Sequence, residues 1–195
     1  MARSLLKMPI MWNFLIAYFS IYIVQWGLAT WLPTYFVNVR NIDLILFGWL
    51  QILPGIVAIL STYVSGYIID KLPHSKVKLS GSIICLGLGI SLYFMFTAAS
   101  VVVFIVYQII SNIFIVFVLV LLQATLLKQF PSSVIGTAMG ISNTGGQLAG
   151  FISPLAIGLI VDTFNGSFNA AFVMLICFSV FCGGAILTMK NYTVS

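Results

Sequence analysis

The residues best suited to chemistry in this chain are neutral amides that stand inside long apolar runs. Polar side chains are costly in such surroundings unless a partner, a water-filled cavity or a bound solute satisfies their hydrogen bonds. Amides both donate and accept hydrogen bonds, which suits them to the hydroxyl or carboxylate groups of a polar organic molecule. The candidate substrate-binding residues are Gln25, Gln51, Gln108, Asn112, Asn143 and Gln147.

The spacing of these amides indicates which of them share a surface. Gln108 and Asn112 are four residues apart, as are Asn143 and Gln147, and residues at that spacing lie on one face of a helix. Each amide taken alone is more typical of a hydrogen bond between helices than of a binding role. Because the set is spread over several apolar runs, we interpret it as the lining of a polar cavity.

Ionisable side chains are too few to build an enzyme active site. The 195 residues include no Glu, and acid comes only from Asp43, Asp70 and Asp162. General acid–base chemistry by paired carboxylates therefore has almost no material. The sequence predicts that the protein is not an enzyme.

The basic residues and the cysteines give no sign of nucleic acid, metal or cofactor. The net charge is +5, but Lys and Arg occur singly between apolar runs and form no stripe with interleaved aromatics. Cys85, Cys177 and Cys182 each lie within an apolar run, without the spacing of metal ligands. We therefore expect small packing residues at these three positions, and no metal, cofactor or nucleic-acid partner.

Six apolar runs are long enough to hold the amides within a membrane. Hydrophobic residues make up 62% of the chain, charged residues make up 6%, and the mean hydropathy is +1.18. About 20 residues of helix cross the hydrocarbon core, where only helices or closed barrels satisfy the backbone. These runs lack the alternation of barrel strands. The predicted spans are 10–37, 44–69, 77–98, 100–123, 133–161 and 167–189.

The fold class predicted from these runs is an all-α membrane protein, with residues 1–195 forming one six-transmembrane-helix bundle in the lipid bilayer. The first run is too long for a cleavable signal peptide, so we expect it to remain as a helix. The connections are short, which makes consecutive helices antiparallel neighbours.

The positions of Lys and Arg predict the orientation of the bundle. Seven of the eight fall on one side of a six-span arrangement, and only Arg40 falls on the other. Because positive residues gather in cytoplasmic loops, we expect both termini in the cytoplasm and the bundle in the plasma (inner) membrane. The seven residues are Arg3, Lys7, Lys71, Lys76, Lys78, Lys128 and Lys190.

Small residues on the fifth run predict a face for close helix packing. Rows of glycine at four-residue spacing let another backbone approach closely or slide past. Static packing and a face that moves during a conformational cycle are both open interpretations. The two sets are Gly136 with Gly140, and Gly146, Gly150, Pro154 and Gly158.

Prolines inside the runs predict kinks, since proline removes a backbone hydrogen bond. Pro33 lies toward the end of the first run, Pro54 lies in the second, and Pro154 lies in the fifth. At the end of the second run, Gly66 stands one turn before Asp70, which is followed by Lys71. Asp70 is suited to pairing with a cation or capping a neighbouring helix, and an ordinary acidic helix end is the alternative.

At these residues the chain resembles the C-terminal half of a major facilitator superfamily transporter. The family's loop signature, Gly-x-x-x-Asp-Arg/Lys, is matched by Gly66, Asp70 and Lys71, although the next residues depart from the usual Gly-Arg-Lys continuation. Residues 31–36 (Trp-Leu-Pro-Thr-Tyr-Phe) and 135–140 (Ile-Gly-Thr-Ala-Met-Gly), with the later glycines of the fifth run, are similar to the anion:cation symporter group.

The resemblance implies helices seven to twelve of a twelve-helix transporter, whose site lies between two six-helix halves. It implies uptake of an organic anion such as a sugar acid, coupled to protons or sodium, by alternating access. Gln25 and Asn143 match positions that line the substrate cavity of the group, whereas its charged anion-binding residues lie mainly in the other half. The implied partners are a small organic anion and either an N-terminal six-helix half or a second copy of this chain.

A second interpretation is a membrane scaffold or binding protein that does not transport, or an inactive transporter remnant. Such a protein needs only a stable bundle and a partner surface. Solute uptake, or thermal stabilisation by a solute, separates the two interpretations.

Overall fold

Six long apolar segments form the fold, as the sequence predicts. The computed structural model describes residues 2–189 and contains six helical segments long and apolar enough to cross a membrane, with no strand among the described residues. Lys190, used above to predict the orientation, lies outside the described residues. The helices are α1 (Ala2–Leu5), α2 (Pro9–Arg40), α3 (Leu44–Leu50), α4 (Ile52–Lys71), α5 (Val77–Thr97), α6 (Val101–Gln129), α7 (Ser132–Thr163) and α8 (Asn169–Leu187).

The main difference from the predicted spans is a break in the second one at Gln51, between α3 and α4. Pro54 has no N–H to donate to the carbonyl oxygen of Leu50, and its ring crowds that carbonyl. The predicted kink at Pro54 is thus an interruption one residue long. Pro33 and Pro154 instead lie inside α2 and α7, which continue through them.

The fourth span also ends later than predicted. It was expected to stop at residue 123, but α6 continues to Gln129. Leu126 and Leu127 extend the apolar run for another turn, and Lys128 in the last turn is favourable at the negative end of the helix dipole.

The spans pack in two layers. In the front layer α7 packs on α2, α2 on α6, and α6 on α4. Behind them, α8 packs on α2 and α5, and α5 packs on α6. Helix α4 therefore stands at one edge and α7 at the other, and large apolar side chains of α4 such as Ile59, Tyr63 and Tyr67 are exposed.

Glycines let the back layer pack closely. A Cβ atom at Gly183 of α8 would lie 3.1 Å from the Cβ of Cys85, and one at Gly89 of α5 would lie 2.8 Å from the hydroxyl of Ser179. The hydroxyl of Ser82 donates to the carbonyl of Gly183 over 2.9 Å. Small residues and short polar contacts of this kind hold helices together within a membrane, where the apolar lipid leaves no hydrophobic force to drive helices against each other. As expected, Cys85 and Cys182 are buried packing residues, whereas Cys177 is exposed on α8.

The glycines of α7 divide between two faces. Gly146, Gly150 and Gly158 lie under the rings of Tyr22, Trp26 and Trp31 of α2, in the same order along both chains, so the two helices run parallel. A Cβ at these glycines would lie 2.7, 3.0 and 3.2 Å from those rings.

Gly136 and Gly140 do not share that face. Within the described residues nothing lies within 4 Å of a Cβ at either position. The six residues from Gly140 to Gly146 turn a helix by about 240°, which separates the two sets. Close backbone approach occurs instead at Gly145, where a Cβ would lie 2.8 Å from the carbonyl oxygen of Leu15.

Two polar side chains tie the ends of the bundle. We call the end with Pro9 and Leu187 the terminal end, and the end with Arg40 the opposite end. Asn13 donates to the carbonyl of Ala185 over 3.0 Å and to the hydroxyl of Thr188 over 2.8 Å, which fixes α2 to α8. Arg40 donates to the carbonyl oxygens of Ala98 and Ala99 beyond the end of α5, the second over 3.0 Å.

Candidate functional site

A cavity of about 360 Å³ opens between α2, the α3–α4 break and α6. Four of the six predicted substrate-binding side chains line it, one from α2, one from the break and two from α6. We call it the amide cavity after these residues, Gln25, Gln51, Gln108 and Asn112. The predicted pair on one face of α6, Gln108 and Asn112, thus opens onto a single space, as the i,i+4 spacing requires.

The walls of the amide cavity are apolar and partly built from small residues. Ala29, Gly55 and Ala58 keep the space open, and Pro33 and Pro54 line it near the backbone that they interrupt. The larger apolar lining residues are Leu28, Leu32, Phe47, Ile115 and Val116. A mostly apolar cleft with a few convergent polar groups is the usual form of a small-molecule site.

Gln51 and Gln108 hydrogen-bond to each other across the cavity. The Gln108 Nε2 donates to Gln51 Oε1, and the Gln51 Nε2 lies 3.4 Å from Gln108 Oε1 in the reverse direction. The pair joins the α3–α4 break to α6. Gln108 is 3% exposed, so its amide would otherwise be a buried polar group without a partner.

Gln25, unlike Gln108, has a side-chain acceptor that no described residue pairs with. Its Oε1 is buried and has no hydrogen-bond partner within residues 2–189. A buried acceptor left without a donor costs free energy, which a bound molecule carrying a hydroxyl or N–H group would recover. Gln25 is therefore the side chain of the amide cavity most ready to receive a hydrogen bond.

The amide cavity is electrically neutral. None of its described lining residues is Lys, Arg, His, Asp or Glu. Arg40 is engaged with backbone carbonyls at the opposite end and lies over the rings of Tyr35 and Phe104, 5.6 and 5.7 Å from their centroids. A molecule placed in the cavity would meet amides and apolar walls, and no charged side chain among the described lining residues.

Asn143 and Gln147 lie outside the amide cavity. Both are exposed on α7, on the same side of that helix as Gly136 and Gly140. Thr144, beside them, donates to the carbonyl of Gly140, while Ser142 is buried and donates to that of Ala138. We call Gly136, Gly140, Asn143, Thr144 and Gln147 the α7 polar face.

The loop signature lies at the terminal end. Asp70 and Lys71 are exposed at the end of α4, and Lys71 contacts the ring and hydroxyl of Tyr67. A Cβ at Gly66 would meet nothing within 4 Å among the described atoms, so no described helix of this chain packs closely against it.

Sequence reasoning missed the aromatic residues on α2 that cover the α7 glycines. Trp31 donates to the carbonyl of Pro154 over 3.0 Å, and Ser153 donates to the carbonyl of Ile23 over 2.8 Å. The signal was present in the spacing, because Tyr22 and Trp26 are four residues apart, as are Gly146 and Gly150. Comparing the spacing of the aromatic residues on α2 with that of the glycines on α7 would have predicted that these two helices pack together.

Comparison with known proteins identifies relatives of one kind. The family model described as Major Facilitator Superfamily matches residues 1–154. A protein of Escherichia coli named as a probable galactarate/D-glucarate transporter is 26% identical over 178 residues, which are 88% of this chain and 39% of that protein.

Two further relatives have similar lengths. A probable sulfoacetate transporter of Cupriavidus necator is 28% identical over 160 residues, covering 76% of this chain and 36% of that protein. A glycerol-3-phosphate transporter of Bacillus subtilis is 26% identical over 177 residues, covering 89% and 39%. The chain therefore spans less than half the length of these curated relatives.

Proposed function

Because this chain belongs to the Major Facilitator Superfamily, we propose that it forms half of a membrane transporter that moves a small polar organic solute by alternating access. The observation that carries the proposal is the amide cavity, where side chains from three spans converge on one space of about 360 Å³. Transporters of this type bind their solute near the midplane, between two halves. The chain contributes one wall of such a site.

The proposed solute is a small organic anion, such as a sugar acid. The names of the three relatives support this class, since each refers to transport of a small anionic compound. The neutral amide cavity would hold the hydroxyl or other hydrogen-bonding groups of that compound. Its negative charge, and the coupling to protons or sodium, would be handled by charged residues of the partner half, because the described cavity lining has none.

The partner would cover the edges of the front layer. Asn143 and Gln147 are exposed at membrane depth, where lipid cannot satisfy their amides. A second six-helix unit placed against the α7 polar face would supply both partners for these amides and the second wall of the cavity. We propose an N-terminal six-helix half as that unit, with a second copy of this chain as the alternative.

The proposed orientation places the terminal end in the cytoplasm of a cell whose plasma (inner) membrane holds the transporter. Lys71, Lys76, Lys78 and Lys128 belong to that end, and Arg40 belongs to the other. In this orientation Gly66, Asp70 and Lys71 form a cytoplasmic gating contact with the partner half. The α7 glycines provide a face that moves against α2 or the partner during the cycle.

Thermal stability with added solute tests the proposal. The chain, purified in detergent, would be heated with D-glucarate, sulfoacetate or glycerol 3-phosphate, and uptake of the same compounds would be measured after reconstitution into liposomes with its partner. We expect at least one anion to raise the melting temperature, and Gln108→Leu to abolish that rise.

The matched control is Thr97→Val, which removes a polar group from the back layer, where its hydroxyl bonds only within α5. It should leave the solute effect unchanged. Absence of both stabilisation and uptake with all three anions would contradict transport and favour the non-transporting scaffold.

A further inference from the structure

We propose that Gln51 is an internal competitor for Gln108: it occupies the Gln108 amide when the cavity holds no solute, and it ties α3 to α6 through that bond. When Gln51 lets go, the break at Gln51 is free to move away from α6, and α3 moves with it. The release by solute rests on the proposed function, whereas the tie between Gln51 and Gln108 does not.

The first observation is that the Gln51–Gln108 pair uses groups that a solute needs. Each amide faces the other in both directions, so a donor and an acceptor of Gln108 are occupied together. Both side chains also line the amide cavity. A solute that uses the same N–H and carbonyl oxygen of Gln108 therefore displaces Gln51.

The second observation is that α3 has few other attachments. None of the seven residues of α3 is buried, and Ile45 and Trp49 are 77% and 69% exposed. Its inward contacts are Leu50, which is half-buried against the core, and Phe47, whose ring lies 5.1 Å from that of Phe36 on α2. A short segment with so few buried contacts moves when the amide pair beside it is broken.

The third observation is that the chain can bend where Gln51 stands. Its backbone N–H is shared between the carbonyls of Phe47 and Gly48, at 3.1 and 3.2 Å, and Pro54 removes the next helical bond. On its other side, α3 is a stiff unit, because Asp43 accepts from the N–H groups of Ile45 and Leu46 over 2.9 Å each. A displacement of Gln51 from α6 therefore carries α3 along as one unit.

The fourth observation supplies the exchange of partners. Gln25 on α2 lines the same cavity, and its buried Oε1 has no donor within residues 2–189. A hydroxylated solute placed between Gln25 and Gln108 gives a donor to the first and replaces Gln51 at the second. Binding thus removes the tie on α3 while it satisfies two amides of the cavity.

Distance measurement between spin labels tests the tie without any solute. The full chain with Cys177→Ser, Ile45→Cys and Phe164→Cys would be placed in lipid nanodiscs. The labels stand on α3 and just beyond the end of α7, with α2 between them, about 20 Å apart for two helix spacings. We expect one narrow distance distribution in this parent. In Gln51→Leu or Gln108→Leu, the fraction of molecules at distances outside that narrow peak should rise at least about tenfold over the parent.

Matched variants separate the tie from general damage. Asn112→Leu changes the same cavity one turn away and should keep the narrow distribution. Gln51→Glu keeps an acceptor for the Gln108 N–H and should stay closer to the parent than Gln51→Leu. A second label pair, Val102→Cys with Phe164→Cys, should report one distance in all variants. An unchanged Ile45–Phe164 distribution in Gln51→Leu overturns the proposal.

Solute addition then separates this inference from the proposed function. D-Glucarate or glycerol 3-phosphate should shift the parent distribution toward that of Gln51→Leu. If Gln51→Leu alone broadens the distribution and no anion does, the tie stands and the proposed solute class is wrong.

Discussion

At the scale of single residues, two glycines of α7 meet very different surroundings. Gly145 lets the backbone of α7 approach Leu15 of α2, while Gly136 on the same helix faces no described atom within 4 Å of its Cβ position. The two positions have the same residue and secondary structure. What differs is only the surface that each turns toward.

Gly145→Ala should therefore destabilise the bundle, because its Cβ would lie 2.8 Å from a backbone oxygen that cannot rotate away. We expect a loss of about 1–3 kcal/mol, typical of overpacking. Gly136→Ala is the control; it should be neutral or slightly stabilising, since alanine favours helix by up to about 1 kcal/mol. Thermal unfolding of the purified chain measures both, and equal effects would contradict the packing described.

Arg40 is a second residue with a defined structural task. Its guanidinium holds the turn between α5 and α6 through carbonyls of Ala98 and Ala99. Arg40→Gln should lower the free energy of unfolding by about 1–2 kcal/mol, since hydrogen bonds to a charged group are lost. Lys128→Gln, an exposed change at the other end, should cost less than about 0.5 kcal/mol. A comparable drop in melting temperature for both would point to net charge rather than to these contacts.

The sequence predicted which amides share a helix face, but not which helices meet. Four of the six amides line one cavity: Gln108 and Asn112 share a face by their i,i+4 spacing, whereas Gln25 and Gln51 join them through the packing of other spans. Asn143 and Gln147 obey the same spacing, yet their face turns away from the cavity. Helix periodicity relates residues within one helix, and it does not say which neighbour that helix meets.

At the scale of the element, the informative feature is the second span, which is two helices rather than one. The six spans were predictable because each run is long and apolar. The break at Gln51 was not, since a proline only removes one hydrogen bond, and α2 and α7 continue through Pro33 and Pro154. Whether the helix bends or stops depends on the support from neighbours, and α3 has little.

Pro54→Ala should join α3 and α4 into one helix. Alanine supplies the N–H that the Leu50 carbonyl lacks, so amide hydrogen exchange in residues 50–55 should slow by about tenfold or more. Pro131→Ala, which precedes α7 rather than interrupting a helix, serves as the control and should leave those amides unchanged. Exchange measured by mass spectrometry on the intact chain would show the difference, and equal rates in wild type and Pro54→Ala would contradict a proline-made break.

At the scale of the whole molecule, the order of helices decides what the bundle leaves uncovered. The front layer ends in α4 and α7, and the α7 polar face has no described partner within this chain. No local pattern predicts that order, because it follows from contacts between spans far apart in sequence.

The α7 polar face should cross-link to a partner. Gly140→Cys, in a chain with Cys177→Ser, should form a covalent product with the N-terminal half or with a second copy, distinguished by different epitope tags. Phe181→Cys on α8 is 63% exposed toward lipid and should give little product. Equal yields at the two positions would contradict a partner on this face.

The pairing of α2 with α7 also delays the assembly of these two helices during synthesis. Ser153 and Ile23, which hydrogen-bond across that pair, are 130 residues apart in the chain. Ribosomes add about 5–20 residues per second, so α2 waits about 6–26 s in the bilayer before α7 exists. During that interval the rings of Tyr22 and Trp26 have no glycines to cover, and the insertion machinery or lipid must shelter them. Helix α2 is thus made well before the helix that covers its aromatic face.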